Sequence, residues 1–424
     1  MNARKEQARR EFRRHWTLVF AAAIGFSFTS VMTAATGLFI APISAEFGWS
    51  RALVSSGVSI AAVLTFLFSP LFGIFIDKWG TRRMALPGLV LLALVIVSLS
   101  GLTGSTFQWF AIWTVYAIAA LATKSTVWTA AVNSTFDAGR GLALGLVLSG
   151  SALAQAITPP LANWLILAFG WRMAFVWLGA GWGTLAILLC LIWLRDGYEA
   201  SRKAPAAAFR DPAAKTPLLD VPGLSVREAW RSAALWRISI STFVIMTATI
   251  ALIVHQIPIL SELGVDRTTA STYAGIAGLT GIAGKLITGA LLDRFAARWV
   301  GGLTIAATSL SFVLLLTPGA PVWAVVTALM INGYAGGTKL QLVGFLTAAY
   351  AGMRKFGTIF GAMASLIAAG SGLGPVLGGA IFDAFGTYAP MLWGGFGLTL
   401  FSAFLLFGLG PYPDWEEVKA GQGT

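Results

Sequence analysis

Gly73-Ile74-Phe75-Ile76-Asp77-Lys78-Trp79-Gly80-Thr81-Arg82-Arg83 places a compact group of charges between two long apolar runs. A thinner version returns 216 residues later as Gly289-Ala290-Leu291-Leu292-Asp293-Arg294, followed by Arg298. The same offset carries Gly141 onto Gly357, Gly145 onto Gly361, Pro159 onto Pro375, and Ala168-Phe169-Gly170 onto Ala384-Phe385-Gly386. One constant spacing held across several segments marks an internal duplication, so the chain reads as two related halves.

Outward from these stretches, runs of about 20 apolar residues recur from end to end, each long enough to cross a ~30 Å hydrocarbon core. They fall at 16–40, 52–76, 84–105, 108–133, 142–167, 172–194, 236–260, 270–292, 299–318, 321–349, 357–382 and 388–410. The chain is 57% hydrophobic and 11% charged, against roughly 25% charged in soluble domains. The expected fold class is an all-α polytopic membrane protein, with twelve transmembrane helices in two pseudo-symmetric six-helix bundles. Residues 1–195 form the first bundle, 196–232 a polar linker, and 233–424 the second. The linker has an Ala/Pro-rich section, and 224–231 reads as a short surface helix.

The net charge of +12 would suggest nucleic acid until the charges are placed. With the amino terminus inside, 23 of the 29 Lys and Arg fall in cytoplasmic segments, and only Arg51, Arg172 and Arg267 fall outside. This asymmetry is the positive-inside pattern and puts both termini in the cytoplasm. The expected surroundings are therefore the lipid bilayer, with no nucleic-acid partner. A single cysteine, Cys190, excludes an intramolecular disulfide or a cysteine metal cluster. No metal or cofactor is expected. The first apolar run is about 25 residues long, without a clear cleavage site, and reads as a retained helix.

The remaining three cations, Lys124, Lys285 and Lys339, lie inside the apolar runs, where no Asp or Glu lies at comparable depth. A charge at the bilayer centre costs at least ~2.5–3.5 kcal/mol, and such residues usually face a cavity and serve transport. Cations without a buried anion need a counter-ion, and the simplest source is the substrate. Lys285 precedes Asp293 by eight residues, about 12 Å along a helix, close enough to snorkel partway to the edge. Lys124 and Lys339 lie roughly 20 Å from the nearest polar end. Asn332 shares a helix face with Lys339, seven residues away, and could bond substrate or a neighbouring helix. Tyr116, Trp128 and Tyr334 could wall an organic anion, although packing is the commoner role of lone aromatics. His255, near the outer end of the seventh run, reads either as an interfacial histidine or as a proton-coupling or gating group.

The pattern Gly73-x-x-x-Asp77-Lys78-x-Gly80-x-Arg82-Arg83 resembles the loop signature of the major facilitator superfamily, with Asp293 and Arg294 as its degenerate echo. The resemblance covers nearly the whole chain. It implies a cytoplasmic latch at these residues, closed in the outward-open state. It also implies a substrate cavity between the halves lined by crossings 1, 2, 4, 5, 7, 8, 10 and 11. A narrower resemblance, to the monocarboxylate and oxalate:formate transporter group, rests on three stretches. They are Ala41-Pro42-Ile43-Ser44-Ala45-Glu46-Phe47-Gly48-Trp49-Ser50-Arg51, Phe136-x-x-x-Arg140-Gly141-Leu142-Ala143-x-Gly145, and His255-Gln256-Ile257-Pro258 with Leu263-Gly264. In crossing eight, Gly284-Lys285-x-x-x-Gly289 puts lysine where the group usually has a carboxylate-binding arginine. This substitution keeps the charge and loses the bidentate fork. Gly281 stands where mammalian relatives have an aspartate, and the group's lysines in spans one and eleven are missing.

The expected function is secondary transport of small organic anions, foremost monocarboxylates, by alternating access with proton symport or anion exchange. The expected substrate contacts are Lys285, Lys339, Lys124, Asn332, Tyr334 and Tyr116. A dicarboxylate or inorganic-anion exchanger remains open, as does a non-transporting receptor. An enzyme would need a catalytic cluster that His255 alone cannot build. The likeness further implies a bacterial inner membrane and a protein that works as a monomer.

Overall fold

The computed structural model describes residues 2–136, 138–195, 223–292, 294–317, 319–352 and 354–413. Fifteen α-helices order the described residues: α1 Asn2–Phe47, α2 Arg51–Trp79, α3 Thr81–Ser98, α4 Thr106–Leu121, α5 Ser125–Asn133, α6 Arg140–Leu148, α7 Gly150–Val176 and α8 Gly183–Trp193. The rest are α9 Val226–Arg231, α10 Ala233–Glu262, α11 Arg267–Leu292, α12 Ala297–Leu316, α13 Val322–Ala351, α14 Phe356–Phe385 and α15 Ala389–Phe407.

Among the described residues, ten stretches are long and apolar enough to cross a membrane. One of them, Leu142–Trp193, runs for 52 residues and turns back at Gly170, where φ is 80° and ψ 162°. A side chain would strain that backbone, and glycine does not. The stretch therefore supplies two crossings, the fifth and the sixth. The 30-residue α13 supplies one more, and its apolar count is lowered by Lys339. Twelve crossings result, at the positions the apolar runs predict.

Within the loop signature, Gly80 makes the turn between two crossings. Its φ of 84° ends α2 and starts α3, and its amide closes the last turn on the Ile76 carbonyl at 2.8 Å. Arg82 donates to the Leu191 carbonyl at 2.7 Å, tying crossing three to crossing six. Lys78, Arg83 and Arg294 lie at the same polar end. Asp293 lies outside the described residues, as do the side chains of Gly73 and Asp77 and residues 196–222 of the linker. The surface helix appears as α9, held by a capping box between Ser225 and Glu228.

Crossing four departs from the reading. The sequence predicts one helix over 108–133, whereas α4 stops at Leu121 and α5 starts at Ser125. Lys124 stands in the break with extended backbone (φ −69°, ψ 167°). The stretch Thr123-Lys124-Ser125-Thr126 is rich in hydroxyls that compete with the backbone for hydrogen bonds. The Thr123 carbonyl is satisfied from outside the helix, by Thr29 Oγ1 at 3.0 Å and by the Trp128 indole at 2.6 Å. Broken backbone at membrane depth persists only where protein or a cavity receives it.

Candidate functional site

The two halves meet along three helix pairs: α2 with α14, α7 with α11, and α1 with α10. Glycines on α14 and α11 allow very close approach. Gly379 sits on the backbone of Ala52, and Gly278 on that of Gln155 and Ala156. Many of the bonds across this seam gather at the end away from the termini.

The end of α2 away from the chain termini carries the densest set. Asp383 of α14 accepts from the amides of Arg51 and Ala52 at 3.0 and 2.9 Å. A carboxylate from one half thus caps the first turn of a helix in the other, where free amides and the helix dipole both favour an anion. Arg51 lays its guanidinium 3.5 Å over the Phe382 ring and donates to the Tyr388 hydroxyl at 3.0 Å. That hydroxyl lies 2.9 Å from His255 Nδ1, and His255 Nε2 lies 2.8 Å from the Pro375 carbonyl.

The ends of this chain fix two of its bonds. A guanidinium only donates and a carbonyl only accepts, so Tyr388 accepts from Arg51 and Nε2–H donates to Pro375. A neutral imidazole with its proton on Nε2 completes the chain when the Tyr388 hydroxyl donates to Nδ1. His255 is fully buried, and Ser55 of α2 lies 3.4 Å from Nε2. Further in, Ser59 of α2 donates to the Gly372 carbonyl of α14.

Lys285 works on the other seam. Its ammonium crosses from α11 to donate to the Leu148 carbonyl at 2.8 Å and Ser151 Oγ at 3.2 Å. These acceptors flank Ser149, where α6 gives way to α7. Both are neutral, so the charge is solvated but not cancelled. Tyr334 of α13 faces α11, its hydroxyl 3.1 Å from Thr288 Oγ1.

Lys339 is placed differently from the expectation that it meets substrate. It is 5% exposed, and among the described residues its Nζ has no hydrogen-bond partner. It borders a cavity of about 10 Å³ lined by Ser241, Thr242, Ile245, Ile305, Leu342 and Leu406 among others. These residues belong to α10, α12, α13 and α15, all in the second half, and two of those helices were expected only to support the cavity from outside. A side chain emerging from a helix takes its address from rotation about the axis as much as from depth. Asn332 is 1% exposed, with Oδ1 unpartnered.

Tyr116 is buried in an aromatic ladder with Trp113 and Trp109, its hydroxyl 3.3 Å from the Thr29 carbonyl. Trp128 packs its ring on Gly25 while bonding Thr123. In this conformation both are bracing, as the commoner reading of lone aromatics has it. Asp383, Tyr388 and Ser55 were missed as site residues. Their partners lie more than a hundred residues away in sequence, and short motifs do not record such pairs. Among the described residues no cluster of His, Cys, Asp or Glu could hold a metal.

Helical crossings in two halves, with ionisable groups set in the seam between them, define a polytopic membrane transporter. The chain belongs to the Major Facilitator Superfamily, whose family model matches residues 19–260 and again 238–423. It is 25% identical over 396 residues to monocarboxylate transporter 13 of Bos taurus, covering 93% of this chain and 88% of that one. It is 24% identical to an MFS-type transporter of Gibberella moniliformis, over 85% of each chain. Among solved structures, a bacterial homolog of the human lysosomal transporter Spinster, inward-facing and unoccupied, aligns with a TM-score of 0.68 at 19% identity, over 92% of this chain and 95% of that one. Nucleoside transporter NupG aligns with a TM-score of 0.71 at 16% identity, over 92% and 98%. These likenesses establish the fold. The protein is a membrane transporter and not an enzyme.

Proposed function

We propose that the protein carries small organic anions, foremost monocarboxylates, between the two faces of the membrane. The observation that carries this reading is Lys285. Among the described residues, this cation in the seam between the halves meets only neutral acceptors, from the opposite half, and the transported carboxylate completes the pair. Substrate would compete with Leu148 and Ser151 for the ammonium and so loosen or remake a contact between the halves. In that way binding couples to rocking.

Lys124 supports the same reading. It caps the amino-terminal end of α5, where helix amides already present positive charge, so cation and helix end together favour an anion. A half-helix aimed at a substrate carboxylate is a recurring device of secondary transporters. We assign Tyr334 to the same cavity, and Lys339 to a position outside it. His255 serves the gate: it ties α10 to α14 and lies against α2, which its neutral, fully bonded state suits. We read both termini as cytoplasmic, and on that reading the seam bonds at the far end belong to an outward-closed state. The polar end bearing Lys78, Arg82, Arg83 and Arg294 would then close when the outer end opens. Proton symport and anion exchange are the two modes that would spare the empty carrier an unneutralised seam.

The test is uptake into proteoliposomes of labelled lactate, pyruvate, formate, oxalate and an aromatic acid, with and without a pH gradient or internal anion. Saturable uptake that disappears in Lys285→Ala is the expected result. Uptake of none of these acids, or full activity without Lys285, would sink the assignment.

A further inference from the structure

Outside the closed seam lies a second hollow, of about 320 Å³, lined among others by Leu38, Arg51, Ile257, Glu262, Arg267 and Phe382. Its construction begins with Pro42, inside α1. A proline has no amide hydrogen, so the carbonyl four residues earlier, at Leu38, loses its helical donor. Arg267 of the opposite half fills the gap, donating to the Leu38 carbonyl at 2.5 Å.

Arg267 and Arg51 are 216 residues apart, the offset of the duplication, and each is the first residue of its helix, α11 and α2. The hollow is therefore bounded by a pair of repeat-related guanidiniums, one from each half. Each has five N–H donors, and one from each is committed, to Leu38 and to Tyr388. No carboxylate among the described residues stands within ion-pair distance of either arginine.

The nearby acids are otherwise engaged. Glu262 accepts from the Tyr388 amide at 3.0 Å and from the Thr387 hydroxyl. Asp383 caps α2. Asp266 accepts from the amides of Thr268 and Thr269, and its hydrogen bonds to Thr269 foremost hold its carboxyl below the usual range. The rest of the wall is largely apolar, with Leu38, Ile40, Ile257 and Phe382.

We propose that this hollow is a second, peripheral anion site that takes a small carboxylate with an apolar body and holds the outer seam shut. The choice of a carboxylate over another anion rests on the transport reading above. A ligand shared by Arg51 and Arg267 contacts both halves only while the outer end is closed. It binds that state better than the open one and shifts the population towards it. An anion arriving here from outside is a brake, distinct from the cargo at Lys285.

Benzoate is the probe, with benzamide as its neutral control, and the readout is the benzoate dissociation constant from thermal-shift titration of the purified full-length protein. Wild type, Lys285→Ala, Arg267→Gln and Ser261→Trp are compared. Ser261 lines the hollow and is exposed, so its tryptophan fills the space without changing charge or breaking the Arg267 contact. The expected result is stabilisation by benzoate and not by benzamide. It persists in Lys285→Ala, weakens about tenfold or more in Arg267→Gln, the factor that ~1.4 kcal/mol represents, and vanishes in Ser261→Trp. A transport-dead protein that still shows this pattern would overturn the cargo assignment and leave the peripheral site standing. No benzoate effect in wild type, or one lost in Lys285→Ala and unchanged in Ser261→Trp, overturns the peripheral site.

Discussion

Lys285 and Lys339 look alike as sequence: each is a lone cation inside an apolar run of the second half. In the folded chain they part. Lys285 reaches out of its own half to two acceptors on crossing five. Lys339 stays within its own half, beside a cavity that would hold about one water. Depth in a hydrophobic run measures what a charge costs, and it does not say where the charge points. That address is set by which helix face a residue occupies and by what the neighbouring helix offers there. On the proposed reading, a lysine that bridges the halves responds to substrate, whereas one enclosed in a single bundle only weighs on its stability.

The sharpest way to break this contrast is to remove each charge in turn. Lys285→Ala should reduce carboxylate uptake by about thirtyfold or more, since losing a charged hydrogen-bonding partner for a desolvated anion typically costs ~2–5 kcal/mol. Initial rates in proteoliposomes, normalised to reconstituted protein, check this. Lys339→Met should leave uptake within a few-fold of wild type. If Lys339→Met also abolishes uptake, the two lysines are functionally one site and the comparison fails.

The second prediction concerns stability. Replacing an unpaired buried cation by a flexible apolar side chain of similar length is expected to stabilise, by the ~1–4 kcal/mol seen when buried ionic groups give way to apolar ones. Lys339→Met should melt at higher temperature in detergent than wild type, and Lys285→Met should not, because its ammonium is hydrogen-bonded. A lower melting point for Lys339→Met would mean that the small cavity holds a partner for the ammonium.

What the sequence made legible follows the same division. The twelve crossings and the two related halves could be read because each depends on a pattern carried by the chain itself: a run length and a repeated spacing. The break at Lys124 could not, since hydropathy counts apolar atoms and is blind to a carbonyl turned from its own helix towards Thr29 and Trp128. The outer lock could not either. Asp383 lies 331 residues from Ala52, whose amide it caps, and nothing local marks an aspartate near the end of one helix as the cap of another. The proline-freed carbonyl of Leu38 is an intermediate case. Pro42 announces the vacancy, and only the fold shows that Arg267 fills it.

The break in crossing four offers a third test, smaller because the Thr123 carbonyl has two donors. Thr29→Val keeps the shape of the side chain and deletes its hydroxyl, leaving the Trp128 indole still bonded. The expected loss is about 1 kcal/mol, the net value of one hydrogen bond. It should appear as a modest fall in melting temperature, with faster amide exchange around Thr123–Ser125. If exchange there is unchanged, the turn is held by Trp128 and local hydroxyls alone.

The smallest expected effect lies at the outer lock, where the bonds are exposed to water. Asp383→Asn keeps the shape of the cap and one of its acceptors while removing the charge opposite the dipole of α2. A charge at a helix end contributes ~0.3–1 kcal/mol in exposed settings, so the population of outward-closed molecules should fall up to about fivefold relative to open ones. Spin labels on the two outer ends, one in each half, would report this as a longer-distance component in pulsed electron paramagnetic resonance. The effect should shrink at high salt, because exposed charges are screened there, whereas the loss caused by Lys285→Ala should not. A salt-insensitive shift would place the aspartate's contribution in packing against α2 and not in its charge. That outcome would move the outer lock into the same class as the buried contacts around Gly379, where shape alone holds the halves together.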